Sequence, residues 1–463
     1  MSGNGSAATS SSSIVLAAGK GVRMKSATPK VLHELCGRPM IWWVLNALRG
    51  AGVRDVIVVT SAENDAAVTA VAETLPGLEF DTAIQVEQLG TGHAAQLALR
   101  QLKRREGTIL IAYGDMPVVD AALFRSVIAA CDTLTAVALV TARMPLPSNF
   151  GRIVRDGEQV ARIVEAKDCT PEELAINEMN AGIYAFDETA LRGVIDHLRA
   201  DNAQGEFYLT DTIAMLAGRG DRVVPVVSDD ARTVLGVNDR VELSRARAAI
   251  NERLCIEHMQ AGVTIVDPAS TWLEPELTIA PDVTIYPNTA IGGATTIGRG
   301  TRIGPNCRIY GATIGEGAQI TESVVLDSTV GPHATVGPFA HLRDGAVLEP
   351  DVSIGNFVEV KDSRLHARVK ARHLSYLGDA EIGEDSNVGA GTITCNYDGE
   401  RKHKTKIGKN VKIGSDTMLV APVEVGDGAL TGAGSVVIRD VEPGDRVAGA
   451  PAKSIKKAAK PAR

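Results

Sequence analysis

Apolar positions along the chain follow two different rules. Over residues 14–237, short continuous apolar runs alternate with segments of helical spacing. Ile14-Val15-Leu16, Val56-Ile57-Val58-Val59, Ile109-Leu110-Ile111-Ala112 and Val137-Ala138-Leu139-Val140 read as strands covered on both faces. Helical spacing runs between them, for example over residues 40–48 and 94–102. This alternation predicts right-handed crossovers and a doubly wound, mostly parallel α/β sheet. Ligands of such sheets lie beyond the carboxyl ends of the strands, so the residues that follow each strand matter most.

Beyond residue 238 the pattern changes twice. Residues 240–260 are rich in Arg, Glu and Ala, with Leu243, Ala246, Ile250 and Leu254 at three- and four-residue steps and Gly262 as a stop signal. One linker helix is expected over 239–262. A six-residue period then takes over. Ile279, Ile285, Ile291, Ile297, Ile303 and Ile309 form one train, Val330, Val336, Leu342, Leu348, Ile354 and Val360 a second, and Ile407, Ile413, Leu419 and Val425 a third. This is the hexapeptide signature of a parallel β-helix, a solenoid whose coils each bond only to their neighbours. Glycine often follows the aliphatic residue directly, as at Gly292, Gly298, Gly304, Gly355, Gly383 and Gly414. These glycines are expected to turn the corners at positive φ. Residues 394–405 break the period and read as a loop thrust out of the functional face.

Composition sharpens this division. Aromatic residues make up only 4% of the 463 residues. A narrow coil interior that admits Ile, Val and Leu but few rings accounts for the shortage. No apolar run is long enough for a membrane helix, and residues 1–13, rich in Ser and Gly, read as a disordered polar tail rather than an export signal. The net charge of −8 argues against nucleic acid as a partner. The six cysteines are scattered without ligand spacing, as expected of reduced thiols in the cytoplasm. Lys453, Lys456, Lys457, Lys460 and Arg463 form a basic tail that reads as a solvated terminus, with contact to an anionic ligand as the alternative.

Candidate chemistry begins where the first strand ends. Leu16-Ala17-Ala18-Gly19-Lys20-Gly21-Val22-Arg23-Met24 is a glycine-rich turn whose N–H groups can surround phosphate oxygens, and Arg23 and Lys30 add positive charge. It is neither a Walker A loop nor G-x-G-x-x-G. Tyr113-Gly114-Asp115 ends a second strand, where a carboxylate can hold Mg²⁺ against phosphates. Gln85, Gly90 and Thr91 could hydrogen-bond a base edge, whereas His93 reads as a packing or helix-start residue.

The turn followed by Pro29-Lys30 resembles the signature of sugar-1-phosphate nucleotidyltransferases. Segments around Gly151, Glu165, Asn180-Ala181-Gly182, the run 205–211 and Val237-Asn238-Asp239 extend the match. In the second half so do Phe339-Ala340-His341-Leu342-Arg343, residues 355–361, residues 373–380 and the run 387–399. In order and over the whole chain these resemble the bifunctional bacterial N-acetylglucosamine-1-phosphate uridyltransferase/glucosamine-1-phosphate acetyltransferases.

The resemblance implies a Rossmann-like uridyltransferase domain over 14–238 and a left-handed parallel β-helix with acetyltransferase activity over 263–463. Its N-terminal site would bind UTP and N-acetylglucosamine-1-phosphate through Leu16, Ala17, Ala18, Gly19, Arg23, Lys30, Gln85, Gly90, Thr91, Tyr113, Gly114, Asp115, Gly151, Glu165, Asn180 and Asn238, with Mg²⁺ on Asp115 and Asn238. Its C-terminal site would use His373 as general base, a role for which imidazole suits near-neutral pH. Arg343, Lys361, Tyr376 and Asn387 would hold glucosamine-1-phosphate, and Ala390, Asn396, Tyr397, Ser415 and Ala433 acetyl-CoA. A backbone N–H near Asn396 would stabilise the oxyanion. Some family members carry an Arg before Val-Pro where this chain has Gly449-Ala450-Pro451-Ala452-Lys453, so Lys453 or the tail would take over that contact. The product would be UDP-N-acetylglucosamine for peptidoglycan and lipopolysaccharide, made by a cytoplasmic homotrimer assembled through the β-helix.

Two rival readings are weaker. A nucleotidyltransferase with a purely regulatory hexapeptide tail leaves the His373 segment and the 394–405 loop unexplained. A zinc solenoid resembling γ-carbonic anhydrase needs convergent histidines, and His333, His341, His366, His373 and His403 include no H-x-x-x-x-H pair.

Overall fold

The computed structural model of the chain describes residues 11–102 and 107–455, and it divides into two compact units, Met1–Ile250 and Asn251–Arg463. The first is built on nine strands: β1 (Ser11–Leu16), β2 (Asp55–Thr60), β3 (Glu79–Ile84), β4 (Thr108–Tyr113), β5 (Val137–Arg143), β6 (Arg152–Asp156), β7 (Gln159–Val164), β8 (Glu178–Asp187) and β9 (Val223–Val227). Their order is β9-β5-β8-β4-β1-β2-β3, with the β6–β7 hairpin attached to β8. The apolar runs read from the sequence fall in β1, β2, β4 and β5, whose side chains are almost wholly buried. β1 lies parallel between β2 and β4, and only β8 and the hairpin run antiparallel. The register of β8 on β5 shifts between Asn180 and Tyr184, where Gly182 takes φ +73°.

Two boundaries differ from the sequence reading. Ser11, Ser12 and Ser13, placed in the polar tail, open strand β1: Ser12 Oγ donates to Asp55 Oδ2 at 2.9 Å, and Ser13 is fully buried. Polar side chains can begin a strand when its neighbours supply ladder partners, and both β2 and β4 do so here. The apolar spacing over 94–102 belongs to a helix, Thr91–Gln101, that starts earlier, directly after Gly90 at φ +107°. The basic tail residues Lys456, Lys457, Lys460 and Arg463 lie outside the described residues.

Arg240–Gln260 forms one helix, and Leu243, Ala246, Ile250 and Leu254 are buried at the expected spacing, together with Asn251 and Cys255. In the second unit Asn251 clasps the first coil, donating Nδ2 to Thr271 O at 2.7 Å and accepting from Leu273 N at 2.9 Å. Gly262 takes φ +95° at the end of the helix.

The second unit is a parallel β-helix of three sheets, with twelve, ten and nine strands of two to four residues. Every residue of the three aliphatic trains is buried. They stack coil upon coil, Ile285 on Ile303, Ile303 on Ile320 and Val336 on Ile354. The rings of this unit, Trp272, Tyr286, Tyr310, Phe339, Phe357, Tyr376 and Tyr397, all lie outside the coil, half-buried or exposed.

The glycines have a different purpose from the one expected. Of the six that follow an aliphatic residue, only Gly304 has positive φ. At Gly298 a Cβ would lie 2.6 Å from Glu316 N of the next coil, so close approach of backbones selects glycine there. The left-handed corners are instead shared between other glycines, such as Gly293, Gly300 and Gly317, and Asp and Asn, including Asp282, Asn288, Asn306, Asp351 and Asn410, whose short polar side chains tolerate that conformation. Gly298→Ala should therefore cost about 1–3 kcal/mol, as overpacking does. A lowered midpoint in thermal unfolding checks this; an unchanged midpoint would show that the coils can part freely.

Candidate active sites

At the carboxyl ends of β1 and β4, Leu16, Ala17, Ala18, Gly19, Lys30, Gln85, Gly90, Thr91, Tyr113 and Asp115 line a single cavity. Backbone bonds build its floor: Ala17 N donates to Val59 O at 2.8 Å and Gly114 N to Leu16 O at 2.9 Å. The Lys30 ammonium pairs with Asp115 and donates to Asn238 Oδ1 at 3.3 Å. Asn238 is held by its own N–H, which donates to Glu242 Oε2 at 2.6 Å, while Val237 N donates to Asp115 O at 2.8 Å. Arg23, exposed in the turn Val22–Met24, stands outside this lining.

A second group adjoins the first through Tyr113, whose ring packs against Gly182 so closely that a Cβ there would lie 2.6 Å away. Gly151 O accepts from Asn180 N at 2.9 Å, and Asn180 Nδ2 donates to Tyr184 Oη at 2.7 Å. Thr210 Oγ1 donates to Glu165 Oε1 at 3.2 Å. Burial pushes the Glu165 carboxyl above its ordinary range, the Thr210 hydroxyl opposes this, and Asp168 and Asp211 add to it. The Tyr113 phenol is raised as well, first by burial and then by Glu165.

In the β-helix the registered coils turn scattered residues into columns. Asn356 pairs with His373 on adjacent coils, and the turn bonds Gly391 N to Leu374 O, Asp416 N to Ala390 O and Gly434 N to Ser415 O continue the same edge. Asn356, His373, Ala390, Ser415 and Ala433 thus occupy one corner position on successive coils. Each is followed by a residue at positive φ: Phe357, Leu374, Gly391, Asp416 and Gly434. His373 is exposed, and its Nδ1 lies 3.0 Å from Asn356 Oδ1.

The sheet beside this corner carries a charged cluster. Arg343 and Lys361 are register partners, and Lys361, mostly buried, stands 3.8 Å from Asp379 Oδ2. Asn396 Nδ2 donates to Tyr376 Oη at 3.3 Å and to Asp379. Lys402 joins from the 394–405 loop. A hydrogen bond with Lys402 raises the Lys361 pKa, burial opposes this and Asp379 favours it, while the same bond and the charge of Lys361 lower Lys402. Asn387 is not in this cluster: it belongs to the sheet of Lys370–His373, not to that of Arg343, Lys361 and Tyr376. Tyr397 is exposed, its hydroxyl donating to Gly399 O at 2.6 Å.

Several participants were not legible as site residues. Gln88 and Glu206 line the first cavity, Gln88 donating from Nε2 to Ala18 O at 2.5 Å. Lys402, Asp379 and Asn356 enter the second. Gln88 lies within the run that supplied Gln85 and Gly90, and Lys402 within the loop flagged by the broken period; Glu206, Asn356 and Asp379 lie in the segments 205–211, 355–361 and 373–380 that carry the resemblance, but nothing in those segments singled them out. His93, read as a packing residue, is half-buried with its ring against Gln85.

Comparison with known proteins follows the same two-part division. Residues 13–175 match the profile of the MobA-like NTP transferase domain, 273–362 that of the GMPPB C-terminal domain, and 404–439 the six-repeat bacterial transferase hexapeptide. The protein named Bifunctional protein GlmU from Trichlorobacter lovleyi is 45% identical over 436 residues, covering 94% of this chain and 94% of that relative. The GlmU of Mycolicibacterium vanbaalenii is 46% identical, with 93% and 89% covered, and that of Corynebacterium glutamicum 45%, with 94% and 90%. At such identity over nearly the full length of each relative, the chain belongs to the GlmU family, the bifunctional uridyltransferase/acetyltransferases that its motifs resemble.

Proposed function

We propose that the second unit acetylates glucosamine-1-phosphate with acetyl-CoA and the first transfers UMP from UTP to the resulting N-acetylglucosamine-1-phosphate, giving UDP-N-acetylglucosamine and pyrophosphate. The observation that carries this reading is that each candidate set is gathered inside its own compact unit.

In the β-helix, His373 Nδ1 faces Asn356 Oδ1, which leaves Nε2 to take a proton from the sugar amine as the amine nitrogen attacks the thioester carbonyl. The tetrahedral intermediate then expels the coenzyme A sulfur, and no acyl-enzyme is required once amine and thioester are held together. Lys361 and Arg343 supply positive charge for the sugar phosphate, with Lys402, Tyr376 and Asn396 beside it. The column of Ala390, Ser415 and Ala433, its coils about 4.8 Å apart, offers an extended edge for the pantetheine arm.

In the first unit a phosphate oxygen of the sugar attacks the α-phosphorus of UTP and pyrophosphate leaves. The turn after β1 offers the N–H groups of Ala18 and Gly19, and Lys30 and Arg23 their charge, to the triphosphate. Asp115 and Asn238 would hold Mg²⁺: a carboxylate and an amide oxygen already converge on one cation, the Lys30 ammonium, and such a pair with substrate phosphates and water suits that ion. When bound, Mg²⁺ would offset the charge that develops between the phosphates.

A homotrimer in the cytoplasm completes the proposal. The free state of all six cysteines and the lack, among the described residues, of any helix able to cross a membrane are compatible with that compartment. Phe339 and Phe357, stacked with centroids 5.5 Å apart, and Leu374 beside them are exposed next to His373, as a face covered by a second copy would be. The separation of Asn387 from the Arg343–Lys361 cluster favours an acetyl site shared between copies.

His373→Ala should abolish acetyl transfer and leave pyrophosphate release from UTP intact, and Asp115→Ala should do the reverse. Loss of both activities together in either folded variant would contradict two separate sites. Glu165 gives a pH-dependent expectation. Its native pKa lies above the unfolded one, so its favourable contribution is complete below the ordinary glutamate value, about 4.3, and is lost as pH rises through the native value. Glu165→Gln should therefore gain thermal stability over the parent as pH climbs from about 4 to 8, while uridyl transfer falls. A stability difference independent of pH would show that the buried carboxyl carries no such cost.

A further inference from the structure

The cavity of the first unit contains a side-chain amide whose orientation is dictated by its neighbours. Gln85 follows β3, its backbone N–H donating to Thr60 O at 2.8 Å, and the residue is almost fully buried. Its amide nitrogen carries two N–H groups: Nε2 donates to Gly90 O at 3.2 Å, and it lies 3.1 Å from His93 Nδ1, which accepts the second when the imidazole carries its proton on Nε2. Gly90 at φ +107° begins the helix Thr91–Gln101, which brings its carbonyl and the His93 ring to the same side of Gln85. Turned over, the amide would set Oε1 against the Gly90 carbonyl, oxygen facing oxygen. Two acceptors thus fix Nε2 inward, and Oε1 has no partner within the chain among the described residues while Gln85 lines the cavity.

A fixed, unpartnered acceptor at the wall of a nucleotide cavity is a selector. Uracil presents an N3–H donor between two carbonyls, whereas cytosine presents a bare N3 acceptor beside an amine. A buried site built to accept a hydrogen bond strongly rejects the analogue that cannot donate one. We infer that His93 is a positioning residue that, with Gly90, holds Gln85 so that Oε1 faces the base, making the uridyl site choose a uracil nucleotide over a cytosine nucleotide. The inference rests on the reading of this cavity as a UTP site. Without an acceptor at position 93 one of the two restraints on the amide is lost, and Gln85 can offer Nε2 to cytosine N3.

The test measures kcat/KM with UTP and with CTP in the full-length protein, using acetyl transfer as an internal control for folding. His93→Ala and His93→Leu, which remove the acceptor with and without loss of bulk, should each lower the UTP/CTP ratio about tenfold, the effect of one hydrogen bond. His93→Asn restores an acceptor near the place of Nδ1 and should keep the ratio. A merely structural His93 would reduce both nucleotides equally, and an unchanged ratio in the Ala and Leu variants overturns the inference. An equal loss in the Asn variant overturns it as well. Wild-type protein that uses CTP as readily as UTP would overturn the underlying reading of the site, an outcome distinct from the other two.

Discussion

Each coil of the second unit hydrogen-bonds only to the coils before and after it, and the candidate site of that unit depends on that constraint. Coil-to-coil bonding holds residues of equal corner position at a constant spacing, so distant parts of the sequence become columns. His373 acquires its neighbours this way: Asn356 one coil before, and Ala390, Ser415 and Ala433 on the coils after. The same constraint forces the interior to be aliphatic and places every ring of the unit outside, where Tyr376 can meet Asn396 and the Phe339–Phe357 pair is left exposed. Close coil contact also explains why glycine occupies positions such as Gly298, where a side chain would strike the next backbone.

The first unit reaches its site by another route. Parallel strands deliver their carboxyl ends to one edge, and the turns after β1 and β4 meet there through Gly114 N and Leu16 O. Asn238, distant in sequence, joins because Val237 bonds to the backbone of Asp115. The antiparallel β8 then carries Asn180 and Gly182 toward Tyr113, which links the cavity lining to the group around Glu165.

How much of this was visible in the sequence follows from these geometries. The strand runs of the first unit and the aliphatic trains of the second were legible because burial on both faces, or once per face, writes a period into the chain. Ile303 and Ile354 needed no structure to be assigned inward. The corner residues were misjudged because glycine spacing alone does not distinguish a need for positive φ from a need for close approach. Asn356, Asp379 and Lys402 were not legible as partners, since their roles depend on which coils stand together and on how the loop 394–405 folds back. His93 was taken for packing because its function, if Gln85 is held as inferred, lies in one lone pair directed at another side chain.

The measurement that tests the central claim most directly is complementation in solution. His373→Ala and Asp115→Ala proteins, separately and mixed, are incubated with glucosamine-1-phosphate, acetyl-CoA, UTP and Mg²⁺, and UDP-N-acetylglucosamine is followed by mass analysis. Two independent sites joined by a released intermediate predict no product from either protein alone and product from the mixture. Product from one variant alone, or none from the mixture of folded proteins, would contradict the account.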